Sequence, residues 1–556
     1  MKNSKLYILS VISGLLLAFG WFPHGYVWIL FIAFVPLLIV EQRIFRAEEK
    51  YKSLTLFTCS LLAFFIWNVL TTWWIKNPSL GGAAMAILSN TLLMTIVFMV
   101  FHKVKKRVGE EWGMIVFICF WMSFEFMHLR WDLSWPWLTL GNAFADNPHL
   151  VQWYEYTGVF GGSLWILVIN CLLVQAFKFK QSTEGNVKLF ELTSDSGATH
   201  KMRAIVLIIT LPILISYIIL HYTEKYENGK LNVVVVQPNI DPYNEKFDGS
   251  YQEQIQKMLH LASQKTDSTT DYLLFPETAI TENVWEGQLS QSESIKELKM
   301  FLKKFPKLTI VIGASSAREY KQGEALSVTA RQYANDNRYF DYYNTALQID
   351  NTDSIQIYHK SKLVPGVEKM PFPFIFRYFE KFAISLGGTV GSLGTQDERT
   401  AFVSKENIKT APVICYESIY GEYVGEYINN GAEFISIITN DGWWGDTPGY
   451  KQHLKFGALR AIETRRWIAR SANTGISCFI SPLGEIQQAT EWWIPDVIKQ
   501  KIEPNDKITF YTRFGDCIAR AAMLISFLLI IYSWLIRFKV IKKKVDLQPL
   551  NNSSKE

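Results

Sequence analysis

Long apolar runs dominate the first 220 residues; shorter apolar stretches set among polar ones follow, and one more long run closes the chain. The long runs lie at residues 6–22, 27–40, 54–75, 81–101, 112–129, 159–177, 204–220 and 517–536. Most approach the roughly 20 residues needed to cross a hydrocarbon core of about 30 Å, so the pattern predicts eight transmembrane helices. The run at 27–40 is the shortest and reads either as a span or as a re-entrant segment. No small-residue cleavage site follows the first run, which is read as a retained helix.

Between the seventh and eighth runs the period changes. Leu231 to Val236 is a β-branched stretch closed by Gln237-Pro238-Asn239, and residues 251–265 carry helical spacing. Further strands are predicted at 272–275, 309–312, 343–348, 412–415, 434–438 and 476–480, with helices at 295–305, 417–430 and 449–471. Short apolar strands interleaved with amphipathic helices predict an α/β layered sandwich. The predicted organisation is therefore a seven-helix transmembrane domain at 1–229 and an α/β domain at 230–505. A transmembrane helix with a basic flank at 506–544 and a polar tail at 545–556 complete it.

Composition agrees with a membrane part joined to a soluble one. Hydrophobic residues make up 49 %, charged residues only 19 % and aromatics 15 %, with 19 Trp, a residue that favours bilayer interfaces. The net charge of +5 is small, and its cations cluster beside apolar runs, which argues for membrane orientation and against nucleic-acid binding. Cations precede the first run and follow the second, fourth, sixth and eighth (Arg43 and Arg46; Lys103, Lys105 and Lys106; Lys201 and Arg203; Arg537 and Lys539), while the alternate loops are nearly free of them. The positive-inside rule then places both termini in the cytoplasm and the α/β insert outside it.

Six cysteines show no CxxC pair or metal spacing. Cys59, Cys119, Cys171 and Cys517 lie in or beside apolar runs and read as packing residues. Cys415 and Cys478 fall in the polar half, where a disulfide between them is one reading. The other is chemical: Cys415 ends an apolar strand, and a thiol at a strand-to-helix turn meets backbone N–H groups and a helix dipole that lower its pKa. Glu277 follows Leu273-Leu274-Phe275-Pro276, an apolar approach expected to raise the carboxyl toward the range of a general base. Lys360 ends a third strand, where its ammonium would pair with Glu277 and stabilise an oxyanion; Lys362 and Lys369 are rivals that spacing cannot separate. No G-x-S-x-G or H-E-x-x-H motif is present. In the membrane half, Glu125 is either a functional carboxylate or the partner of Arg130, and the Trp-rich 131–140 loop is a belt or the rim of a lipid cleft.

Glu in Phe275-Pro276-Glu277-Thr278, Lys in Tyr358-His359-Lys360 before Leu363-Val364-Pro365, and Cys in Cys415-Tyr416-Glu417 resemble the ordered Glu–Lys–Cys signature of the nitrilase superfamily. With helices on both sides, the chain is similar over nearly its whole length to the apolipoprotein N-acyltransferase family. The further motifs are Phe22-Pro23, Trp135-Pro136-Trp137-Leu138, Asn440-Asp441-Gly442-Trp443-Trp444-Gly445, Gln452-His453, Arg460-Ala461-Ile462-Glu463 and Asn473-Thr474-Gly475. Two departures stand out: Gly366-Val367 replaces the family's Phe-Gly before Glu368, and Gly442 replaces an alanine.

The resemblance implies an αββα sandwich outside the cytoplasmic membrane and a ping-pong acyl transfer. Glu277 is the implied general base, Lys360 the oxyanion stabiliser and Cys415 the nucleophile, with Glu368 and Glu417 in support. Trp443, Trp444, Phe372 and Phe374 are the candidate substrate-binding residues. The implied donor is the sn-1 chain of a membrane phospholipid and the acceptor the amine of diacylglyceryl-cysteine on an apolipoprotein, with no cofactor or metal. The aromatic segment at 371–382 is expected to be either a mobile lid or part of the core. The alternatives are a membrane-tethered nitrilase-type amidase and, from another class, a transporter with an outer binding domain. Seven helices exceed what a tether needs, and few ionisable residues line the runs.

Overall fold

The computed structural model describes residues 4–23, 25–46, 52–178, 191–192, 196–223, 230–246, 249–334, 336–371 and 392–538. Among them, six helices are long and apolar enough to cross a membrane: Val27–Arg46, Ser53–Lys76, Leu80–Val108, Val159–Ala176, Thr199–Tyr222 and Cys517–Arg537. Two further apolar helices, Ser4–Phe19 and Gly113–His128, have 16 residues each. At about 1.5 Å per residue they fall short of a hydrocarbon core of about 30 Å. The chain is a multi-pass membrane protein.

The run expected to be short continues instead to Arg46. It is broken at Phe34, because Pro36 cannot donate to the turn before it. Asn170 on the neighbouring helix closes the gap: its amide oxygen accepts from Phe34 N (2.9 Å) and its amide nitrogen donates to Leu30 O (2.7 Å).

Two sheets follow. In one, Asp496–Ile502, Leu231–Gln237, Tyr272–Leu274, Thr309–Glu319, Tyr339–Ile349 and Arg331–Gln332 lie side by side, with Ile280–Trp285 beside Thr309–Glu319 and Ile355–His359 beside Tyr339–Ile349. In the other the order is Phe402–Val403, Lys409–Ile414, Phe434–Thr439, Ile468–Ala472, Cys478–Ile480 and Ile486–Gln487. The valine run of Leu231–Gln237 shows why every position is apolar. Val233 and Val235 join the core shared with Val413, Ile435 and Ile437 of the second sheet, whereas Val234 and Val236 face Ile255, Met258, Leu298 and Leu302 of two helices. A strand covered on both faces loses its alternation. Helices Gly421–Asn429 and Pro448–Thr464 pack against the second sheet, completing an αββα sandwich.

Several element boundaries differ from the expected ones. The helix expected at 449–471 stops at Thr464, because Arg465 turns into the left-handed region (φ +51°) and starts the strand Ile468–Ala472. The helix expected to begin at Tyr416-Glu417 begins at Gly421, after a 3₁₀ turn over Cys415–Ile419. Strands Ile280–Trp285 and Asp496–Ile502 were not legible: their polar edge positions break the apolar runs that mark the others.

Candidate active site

Three strand ends converge at one edge of the sandwich. Lys409–Ile414 and Phe434–Thr439 run parallel in one sheet and Tyr272–Leu274 runs parallel to its neighbours in the other. Their carboxyl ends deliver Cys415, Asn440-Asp441 and Glu277 to a common place, where open α/β sheets present their functional groups.

Cys415 is a non-glycine residue with φ +49°, a conformation that costs about 1–3 kcal/mol and persists only where neighbours enforce it. Glu417 does the enforcing. Its Oε2 accepts from Ile414 N (2.9 Å), while Oε1 accepts from Ser361 N (2.7 Å), Tyr358 Oη (2.8 Å) and Tyr423 Oη (2.7 Å). One fully buried carboxylate thereby ties the cysteine turn to the residues flanking Lys360.

The structure separates the three candidate lysines. Lys360 Nζ donates to Glu277 Oε1 (2.9 Å) and to Glu368 Oε1 (2.8 Å). Lys369 pairs with Asp132 (2.5 Å), and Lys362 lies over the rings of Tyr420 and Tyr423. Asn344 Nδ2 bridges the same two glutamates at 2.8 and 3.0 Å, and Asn440 N donates to Glu277 Oε2 (3.1 Å). Despite the Gly366-Val367 departure, Glu368 reaches the lysine, because a turn at Gly366 (φ +82°) brings it back onto Val364 N (2.9 Å).

Electrostatics reverse two expectations. Burial pushes the Glu277 carboxyl up, but Lys360, Asn344 and Lys246 together hold it below the usual carboxylate range. Burial pushes the Cys415 thiol well up, and the Glu277 charge adds to this; Lys360 opposes it without winning. No helix dipole reaches the sulfur, since the helix starts six residues later. The resting pair is therefore a neutral thiol beside a carboxylate, and the thiol ionises only as its proton is taken. Alkylation of Cys415 by iodoacetamide is accordingly expected to rise about tenfold per pH unit from neutrality to pH 9, as the thiolate fraction grows. A plateau by pH 7 would show a thiolate at rest.

A family model for carbon-nitrogen hydrolases matches residues 232–508, and one for the apolipoprotein N-acyltransferase N-terminal domain matches residues 13–172. Apolipoprotein N-acyltransferase of Chlorobaculum tepidum is 29% identical over 537 residues, covering 94% of this chain and 95% of that protein. The enzyme of the same name from Geobacter metallireducens is 27% identical, covering 93% and 94%. The chain belongs to the apolipoprotein N-acyltransferase family. Among solved structures, an amidase from a Nesterenkonia species is similar, with 13% identity, TM-score 0.35, and coverage of 54% of this chain and 98% of that one.

Other groups in this acyltransferase escaped the sequence reading. Lys246 is buried, and its amine donates to Glu277 O (3.3 Å) and to Thr278 Oγ1. Burial pulls its pKa down to about 8, against Glu277 and Cys415, which raise it. Behind the cysteine, His453 Nε2 contacts Cys415 O (3.1 Å) and Nδ1 contacts Asp441 Oδ1 (2.9 Å); Arg470 donates to Asp441 Oδ2 (2.5 Å). Ligand-type atoms of Cys415, Asp441 and His453 lie within 4.8 Å of one another. Both ring nitrogens and both carboxylate oxygens are already engaged, so the trio reads as a hydrogen-bonded support for the cysteine turn. Only the Gln452-His453 and Asn440-Asp441 motifs hinted at it.

Trp444 packs against Trp74 at the end of the Ser53–Lys76 helix (5.1 Å between ring centroids), Trp137 (5.8 Å) and His453 (5.3 Å), while Trp443 packs against Tyr243 (5.2 Å). The 131–140 loop thus joins an aromatic cluster that abuts the site. A methyl at Gly442 would come within 2.0 Å of Thr474 Oγ1, which accounts for glycine in place of alanine. Glu125 does not pair with Arg130. It accepts from Trp121 Nε1 (3.0 Å), Leu140 N (2.9 Å) and Ser163 Oγ (2.7 Å), while Arg130 pairs with Glu422 and Asp516. All six cysteines are free thiols, which removes the Cys415–Cys478 disulfide. Phe372, Phe374 and the 371–382 segment beyond Pro371 lie outside the described residues.

Proposed function

We propose that the enzyme carries an acyl chain on Cys415 from a membrane phospholipid to the α-amine of diacylglyceryl-cysteine on an apolipoprotein. The observation that carries this reading is the Lys360 amine held between Glu277 and Glu368 beside a strained, buried cysteine turn. Glu277 takes the thiol proton as Cys415 sulfur attacks the sn-1 ester carbonyl, and Lys360 with nearby N–H groups holds the oxyanion. The tetrahedral intermediate expels the lysophospholipid alkoxide, which receives that proton from Glu277, leaving a thioester. The acceptor amine then attacks the thioester carbonyl and gives its proton to Glu277. The thiolate leaves and is reprotonated, and an amide has formed. No step calls for a cofactor or metal.

Glu368 and Glu417 are assigned to hold the lysine and the cysteine turn, and Trp443 and Trp444 to line the substrate path. The catalytic sandwich is assigned to residues 230–505, outside the cytoplasm, between a helical domain at 1–229 and a final helix with its basic flank at 506–544. The polar tail at 545–556 and the N-terminus are placed in the cytoplasm, in agreement with the cations on alternate loops. Both substrates are then membrane-anchored on the side where the site opens. Mass spectrometry after incubation with labelled phospholipid tests the scheme. A fatty-acyl adduct on Cys415 that discharges to a diacylated lipopeptide is expected; free fatty acid with no adduct and no lipopeptide product would point to a hydrolase.

A further inference from the structure

A cavity of about 290 Å³ opens beside the catalytic lysine loop. Its polar wall is built chiefly by the turn after the apolar Gly113–His128 helix, with Arg130, Asp132 and Ser134, and by the segment after Lys360, with Ser361, Lys362 and Lys369; parts of 328–329 and 392–395 complete it. The first element puts the cavity at the end of an apolar helix, which the proposed topology sets at the level of the lipid phosphates. The second puts it within two residues of Lys360, roughly 7 Å along the chain. It also adjoins the cysteine turn, since Tyr416 Oη donates to Ser134 O (2.9 Å) and Tyr420 Oη to Ser134 Oγ (2.9 Å).

The charges in this wall are unequally satisfied. Lys369 and Asp132 neutralise each other at 2.5 Å, and Arg130 is held by Glu422 and Asp516. Lys362 is different: among the described residues its amine has no hydrogen bond or ion pair. It is half-buried, 4.9 Å from the centre of the Tyr420 ring and 5.5 Å from that of Tyr423. Its pKa is lowered by burial first and then by Arg130 and Arg399, with Glu426 and Glu417 opposing more weakly. A half-buried ammonium that shares a cavity wall with the Arg130 guanidinium gains from any anion that enters that cavity. Ser134 and Ser361 add hydroxyls to the same wall.

We propose that this cavity, through Lys362, binds the phosphodiester of the donor glycerophospholipid and so places its sn-1 ester at Cys415. The proposal rests on the acyl-transfer reading above and adds the recognition element that distinguishes a phospholipid from other acyl esters. The glycerol backbone connects phosphate to ester over a short span, matching a cavity that adjoins the lysine loop and the cysteine turn.

The test uses the full-length enzyme in mixed micelles and follows acyl-enzyme formation from two donors, phosphatidylethanolamine and phosphate-free diacylglycerol. In K362Q the ratio of kcat/KM for the two donors is expected to fall about tenfold, the worth of one charge-assisted hydrogen bond, mainly through KM for the phospholipid. K362R is expected to restore most of that ratio. An unaltered ratio in K362Q overturns the proposal, as does equal loss on both donors, which would mark Lys362 as structural. A free-anion site predicts that inorganic phosphate stimulates diacylglycerol turnover in the wild type but not in K362Q; that result would overturn the lipid assignment. Should K362Q fail to fold, the wild-type ratio at rising ionic strength decides: it is expected to fall with salt, and a salt-independent ratio overturns the proposal. Wild-type protein that forms no acyl-enzyme from any phospholipid would instead remove the acyl-transfer reading itself.

Discussion

Alanine at Cys415 is expected to abolish the acyl-enzyme and to lower lipopeptide acylation by at least about a thousandfold, the scale on which single nucleophiles matter in covalent catalysis. The physical reason is that no neighbouring group can take over. Cys478, the other cysteine of the sandwich, is buried in its own strand, and Ser418 Oγ donates to Cys415 O (2.7 Å) and contacts His453 (3.1 Å). C415S is expected to fare little better. A serine hydroxyl in the same buried turn is a far weaker acid than a thiol, and an acyl ester discharges to an amine more slowly than a thioester. The fold should survive, because the left-handed turn is set by the backbone and by Glu417, neither of which changes. Triacylation of lipopeptide by folded C415A at the wild-type pace would sink the mechanism; loss of acylation with a wild-type unfolding midpoint is the expected outcome.

The second large effect is expected from Lys360→Met. Lys360 is buried between two carboxylates, so its removal takes away the cation assigned to the oxyanion in the proposed mechanism and leaves Glu277 and Glu368 sharing one site. A loss of about a hundredfold or more in kcat is expected, with KM little altered. Stability should fall too, by about 3–5 kcal/mol, since breaking a buried ion pair strands the partner's charge. The pH profile carries a sign that a merely structural loss would not reproduce. In the wild type the ammonium helps hold Glu277 below the ordinary range, so the base stays ionised as pH falls well past neutrality. Without it, burial and the neighbouring carboxylate act unopposed by Lys360 and raise the proton affinity of the pair. The residual activity of K360M should then decline with acid at a higher pH than wild-type activity does. An acid limb at the wild-type position would show that Lys360 does not govern the ionisation of Glu277. K360M/E368Q, which removes one of the crowded carboxylates, is expected to recover part of the stability but not the rate.

How much of this was legible beforehand differs from residue to residue. Glu277, Lys360 and Cys415 stood out because each follows a short apolar strand in its own segment, and each still follows a strand in the fold. Lys362 and Lys369 follow the same strand, three and ten residues past its end, so order along the chain could not separate them from Lys360. Only the return of Glu368 through the Gly366 turn, and the Asp132 carboxylate from a distant helix end, sorted the three cations. Arg130 misled for a similar reason. Its sequence neighbour Glu125 is buried against Leu140 and Ser163, and its partners Glu422 and Asp516 are about 300 and 400 residues away.

The sequence alone determined what is additive and local. Apolar runs of sufficient length must leave water, alternating cations bias which loops are retained, and a valine run covered on both faces must lie inside a layered sandwich. Those properties depend on transfer free energies and backbone period, which each segment carries with it. Tertiary structure decided the signs of the proton affinities, the choice among three lysines, the support by Lys246 and by the His453–Asp441–Arg470 chain, and the charge left open in the cavity. All of these are sums of opposing terms of comparable size, burial against pairing. Their outcome turns on separations of a few ångströms between residues remote in the chain, which no linear spacing encodes.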